Sequence, residues 1–133
     1  MNNLKKVGLP ILLTGIWINV SITIGWMLIL ESYWVEKYQS LNLVFPTGLS
    51  NNIIWMIWGF MLAIIIYILS KKFTLVQTTF ISWFVAFIML WVIIWNIGVL
   101  PTKMLYFNIL NTLFITYIGA VICNKLTKKL EEK

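Results

Sequence analysis

Three ionisable side chains are missing from this sequence altogether: it has no arginine, no aspartate and no histidine, so its charge rests on ten lysines and four glutamates. Without histidine it lacks the side chain best suited to acid–base work near neutrality. Without arginine it lacks the planar fork that grips carboxylates and phosphates at two points. Cysteine occurs once, at Cys123, which excludes an intramolecular disulfide, a CxxC redox pair and a zinc site of cysteine and histidine. A lone thiol among apolar neighbours reads as a small buried or lipid-facing residue. Charge is scarce as well, at 11% of residues against 61% hydrophobic, where soluble domains run near half apolar and a quarter charged.

What the chain has instead is long apolar runs, at about 7–30, 53–69, 75–99 and 104–123. Each is long enough to cross a bilayer. Backbone polar groups in hydrocarbon must be satisfied within the segment, so these runs read as helices; membrane-spanning strands would be about half as long and alternate in polarity. Lys5 and Lys6 ahead of the first run also suit a signal peptide. That run exceeds a signal peptide's usual apolar core, and no small-x-small cleavage site follows Leu30, so it is kept as a span. Residues 1–133 then make a single transmembrane domain, with an outer loop at 31–52 and a tail at 124–133. The expected fold is an all-α membrane protein, a four-transmembrane-helix bundle.

The formal charge of +6 raises nucleic acid as a partner, but the lysines sit in the gaps between apolar runs rather than along one face, and no nucleic-acid partner is expected. Lys5, Lys6, Lys71, Lys72 and the tail residues Lys125, Lys128, Lys129 and Lys133 fall on one side of the membrane, Lys37 and Lys103 on the other. The positive-inside rule places the first group in the cytoplasm, giving a multi-pass protein of the inner (cytoplasmic) membrane with both termini cytoplasmic. Residues 70–74 and 98–103 make tight turns between antiparallel spans. In the first outer loop, Trp34, Tyr38 and Leu41 recur at helical spacing beside Glu31, Glu36 and Lys37. That pattern predicts a short interfacial helix with aromatics at headgroup level.

Hydrophobicity drives little helix association in lipid, so small and polar residues at four-residue spacing mark the faces that meet. Span one offers Gly15, Asn19 and Thr23; span two, Gly59 and Ala63; span three, Thr78, Ser82 and Ala86; span four, Asn108, Thr112, Thr116 and Ala120. These serve close packing and interhelical hydrogen bonds. A polar conduit through Asn19, Asn108 and Thr112 is the alternative, disfavoured because the stripes carry no charge.

Most of the eight tryptophans fall toward the outer half. An interfacial belt accounts for Trp34, Trp55 and Trp95; Trp58 and the deeper Trp91 and Trp83 admit an aromatic pocket open to the outside, suited to an apolar or cationic ligand. Glu31 ends span one at a depth shared with Trp95 and Asn96. It is either an exposed helix-end residue or a cation-binding or protonatable carboxylate. The candidate ligand-binding residues are therefore Glu31, Trp34, Trp55, Trp58, Trp91, Trp95 and Asn96; no catalytic residue, metal or cofactor is expected.

The order Tyr33-Trp34, Leu43-Val44-Phe45-Pro46, Trp55 and Trp58, Ser70-Lys71-Lys72-Phe73, Ser82-Trp83, Trp95-Asn96 and Leu100-Pro101 resembles small four-span bacterial membrane proteins of unknown activity. The resemblance covers nearly the whole chain and implies a fold but no activity. The chain looks unlike small multidrug exporters, whose essential glutamate lies inside the first span, and it lacks the paired cysteines of disulfide-forming bundles. Three functions are open: binding or transport of a small apolar or cationic molecule or lipid near the outer aromatic face; a structural or accessory subunit, as a homo-oligomer or with a membrane partner protein; and an intramembrane enzyme, whose only acids or bases would be Glu31 and Glu36. The first is preferred, and the lipid bilayer is a partner in every case.

Overall fold

In the computed structural model, which describes residues 3–132, every described regular element is helical. Helix α1 (Asn3–Gly25) runs through a π-helical turn at Trp26–Leu30 into α2 (Glu31–Ser40). After α3 (Leu49–Ser70), α4 (Leu75–Trp83) runs through a second π turn at Phe84–Ile88 into α5 (Met89–Asn96), and a 3₁₀ turn at Thr102–Met104 opens α6 (Leu105–Glu131). Four rods result, Leu4–Ser40, Leu49–Ser70, Leu75–Asn96 and Thr102–Glu131, all long and apolar enough to cross a membrane.

The ends of the rods follow from local chemistry. Thr74 and Gln77 form a reciprocal capping box at the start of α4: the Gln77 amide N–H donates to Thr74 Oγ1 at 3.3 Å and the Thr74 N–H to Gln77 Oε1 at 3.1 Å. Past α5, Gly98 takes φ +80°, and the N–H groups of Gly98 and Val99 donate back to the carbonyls of Trp95 and Ile94. Asn42, at φ 57°, ends α2 in the same way, with Asn42 and Leu43 donating to Gln39 and Tyr38. Both are left-handed C-terminal caps, which glycine and asparagine tolerate best.

The helices outrun the apolar segments that announce them. Helix α3 begins at Leu49, ahead of Ile53, because Ser50, Asn51 and Asn52 form its polar first turn behind the extended Gly48. The helix expected in the outer loop is present as α2, yet it continues span one rather than standing apart from it. At 1.5 Å per residue the 37 residues of that rod reach about 55 Å, against about 30 Å of hydrocarbon. Likewise α6 carries the tail to Glu131 without a break, with Thr127 and Leu130 buried. Hydropathy reports depth in hydrocarbon; helix length is set by where caps occur.

Helices α3 and α6 form the short diagonal of the bundle, each packing on the other and on both α1 and α4. The close approaches rest on two glycines. A Cβ at Gly59 would lie 2.6 Å from Asn19 Nδ2, and one at Gly15 would fall into the Phe60 ring, so α1 and α3 interlock through reciprocal notches. Asn19 Nδ2 meanwhile donates to the Gly15 carbonyl at 2.9 Å. The Lys71–Glu131 ion pair ties the α3–α4 turn to the end of α6. That carboxylate, by accepting from the ammonium, raises the Lys71 pKa above the ordinary lysine value. Its small contribution is therefore present at neutral pH and lost only as pH climbs past that value; an exposed pair of this kind is worth about 0–1 kcal/mol.

Candidate functional site

The interior is polar along one side of α6. Thr112 donates to the Asn108 carbonyl at 2.7 Å and Thr116 to the Thr112 carbonyl at 2.8 Å, while Ser82 on the facing helix donates to the Thr78 carbonyl at 2.6 Å. These three hydroxyls are satisfied by their own helices, while the buried hydroxyls of Thr14, Thr78 and Thr127 have no hydrogen-bond partner among the described residues. Gly15, Gly59, Ala63, Thr78, Ser82, Ala86, Asn108, Thr112, Thr116 and Ala120 are all buried in the bundle, and Asn19 is half-buried. Thr23 is exposed. The physical reason is drift: steps of four overshoot a 3.6-residue turn, and by Thr23 the inward face of span one has passed to Ile22, Gly25 and Trp26, each half-buried.

Large rings connect this seam to the end of the bundle where α3 begins and α5 ends. Trp55 meets Trp58 edge to face at 6.1 Å between centroids, Trp58 meets Phe87 at 5.2 Å, Phe87 meets Trp91 at 5.9 Å, and Trp91 meets Trp83 at 6.5 Å. Each spacing lies in the range of favourable aromatic pairs. At the inner end Trp83 Nε1 donates to Thr112 Oγ1 at 3.0 Å, so the file ends on the hydroxyl seam. Trp55 is 49% exposed, Trp58 and Trp83 are half-buried, and Phe87 and Trp91 are buried. The π turn at Phe84–Ile88 sets this up, because a π turn breaks the 3.6-residue register. Phe84 points outward at 54% exposure while Phe87 is 6% exposed, although straight helical spacing puts them on one face. The backbone of α5 approaches the other helices less extensively than that of α4 does, and the rings lie in between.

A second cluster stands where α1 runs into α2. Phe45, on the strand-free loop, stacks on Trp26 at 5.0 Å and meets Tyr38 edge to face at 5.0 Å, with Trp34 6.2 Å away. Phe45 fills the middle of this group, which clasps the loop to the helix and leaves no open cage. No protein-family model, curated protein or solved structure matches the chain.

The seven expected ligand-binding residues therefore divide. Trp55, Trp58 and Trp91 belong to one continuous file; Trp34 belongs to the separate clasp. Glu31, Trp95 and Asn96 are exposed, Trp95 by 66%, and contribute to neither. Sequence reading sets Phe87 on one aromatic face of span three with Phe84, Trp91 and Trp95 but not among the ligand-binding residues, and it missed Phe45 as the centre of the clasp. It also missed Trp17, whose Nε1 donates 3.0 Å to the Ile115 carbonyl and pins α1 to α6. A phenylalanine in an apolar run carries no signal of its own; Trp17, one turn from Thr14 on the buried side, carried a faint one. Chemically the file offers π faces, apolar surface and one hydroxyl.

Proposed function

We propose that this chain is a multi-pass protein of a bacterial inner membrane that binds, and through binding moves, a small apolar or cationic molecule or a lipid at its outer aromatic face. The observation that supports this reading is the continuous file of rings from exposed Trp55 through half-buried Trp58 to buried Phe87 and Trp91, which offers a ligand successive π faces. Cations over tryptophan rings gain about 0.5–2 kcal/mol, most where water is excluded. Trp58, half-buried between Trp55 and Phe87, is the ring such a ligand meets after Trp55. The accessory-subunit alternative has less support: the small-residue stripes that would pair with another protein pack within this chain, apart from Thr23.

Titrating the purified chain with tetraphenylphosphonium while following tryptophan fluorescence tests the reading. A saturable change is expected, weakened about threefold to thirtyfold in Trp58→Ala, the range of a cation–ring contact, and unaltered in Trp95→Ala. A linear response, or identical curves for all three proteins, would overturn it. The lysine asymmetry supports cytoplasmic termini. With Cys123 replaced by serine, a membrane-impermeant maleimide should label Lys37→Cys in intact cells and Lys72→Cys only after permeabilisation; the reverse pattern would invert the orientation.

A further inference from the structure

At the end of the bundle away from the tryptophans, a cleft of about 500 Å³ separates the α3–α4 turn from the last turns of α6. Val121, Asn124, Lys125 and Lys128 line one wall, a single face of α6, and Ser70, Leu75 and their neighbours in the turn line the other. We propose that this cleft binds the phosphate of an anionic phospholipid, with an acyl chain running toward the hydrocarbon along Val121 and Leu75. The inference rests on the four-span reading and is independent of the outer aromatic site.

Three observations point to that occupant. The first is depth: counting from Thr102 along α6 at 1.5 Å per residue, Val121 lies about 28 Å and Lys125 about 34 Å across, so the edge of a hydrocarbon core about 30 Å thick falls between them. The second is charge. Among the described residues no carboxylate pairs with Lys125 or Lys128, because Glu131 is taken by Lys71. The third is the state of the other polar groups. Ser70 already donates to the Tyr67 carbonyl at 2.8 Å, and the Thr74 hydroxyl is engaged with Gln77. The donors left at the mouth are the two ammonium groups and the Asn124 amide, grouped above an apolar wall. A soluble anion has no use for that wall, and a zwitterionic lipid would bring its own cation against the lysines.

Native mass spectrometry of the full chain in detergent micelles tests this with three probes: phosphatidylglycerol, phosphatidylcholine of the same acyl chains, and inorganic phosphate. Phosphatidylglycerol should be retained in preference to phosphatidylcholine, and the double variant Lys125→Gln, Lys128→Gln should bind it about thirtyfold more weakly, the loss of two lysine contacts at an anionic surface. The double variant Lys5→Gln, Lys6→Gln should bind as the parent does. Val121→Trp, which fills the apolar end and leaves both lysines in place, should lose the lipid too. Equal losses in the two lysine variants, equal retention of the two lipids, or displacement by inorganic phosphate would each overturn the proposal. Micelles have no sidedness, so an inverted orientation in the maleimide assay would leave this result untouched.

Discussion

Gly59→Leu is expected to break the α1–α3 interface and destabilise the bundle, whereas Gly8→Leu in the same bundle is expected to be harmless. Both glycines lie inside helices, where replacing glycine gains up to about 1 kcal/mol in backbone entropy. Their surroundings decide the outcome. A Cβ at Gly59 would meet three atoms of the Asn19 amide, at 2.6, 2.7 and 2.8 Å, while a Cβ at Gly8 meets nothing within 4 Å. Asn19 has little freedom to retreat, because its Nδ2 is held by the Gly15 carbonyl and Gly15 is itself covered by Phe60. Overfilling a packed interface costs about 1–3 kcal/mol, and leucine adds a branch beyond the Cβ that already has no room. Thermal unfolding in detergent, followed by circular dichroism, should show Gly59→Leu melting well below the parent and Gly8→Leu at or above it. Equal melting of the two would mean that α1 and α3 do not interlock here.

How much of this was legible depended on whether one side chain or a pair carried the signal. The four rods announce themselves because charge is absent from each for many residues together. The buried stripes of α3, α4 and α6 were equally visible, since small and hydroxyl residues at four-residue spacing have few other uses in hydrocarbon. Thr23 shows the limit of that rule: a stripe extrapolated by fours walks off the contact face. The notch at Gly59 was half visible. The glycine stands out in the sequence, but nothing there says that the residue seated in it is Asn19, forty positions earlier.

The π turns were illegible for a different reason. Trp26–Leu30 and Phe84–Ile88 are apolar and unremarkable in composition, and the extra residue accommodated in each is fixed by packing with neighbours rather than by local preference. Their consequence is large all the same. Helical spacing alone aligns Phe84, Phe87, Trp91 and Trp95 as one stripe, and the structure keeps only Phe87 and Trp91 inside. Trp95 stands at a helix end, 66% exposed.

That division gives a sharp contrast between two tryptophans one helical turn apart. Trp91→Ala should destabilise α5 by about 3–5 kcal/mol, the usual cost of deleting a buried large aromatic, because Trp91 is buried and touches both Phe87 and Trp83. Trp95→Ala removes a ring that is 66% exposed and should change stability by less than about 0.5 kcal/mol. The readout can be local as well as global. Amide exchange over Met89–Asn96 should rise strongly in Trp91→Ala and stay at the parent level in Trp95→Ala, while Leu105–Glu131, packed against three helices, stays protected in both. If Trp91→Ala melted as the parent does and left exchange in α5 unaltered, the file of rings would not be what holds α5 to the bundle. The ligand reading would fall with it, since a file that does not order the helix around it cannot present a series of faces to an incoming molecule.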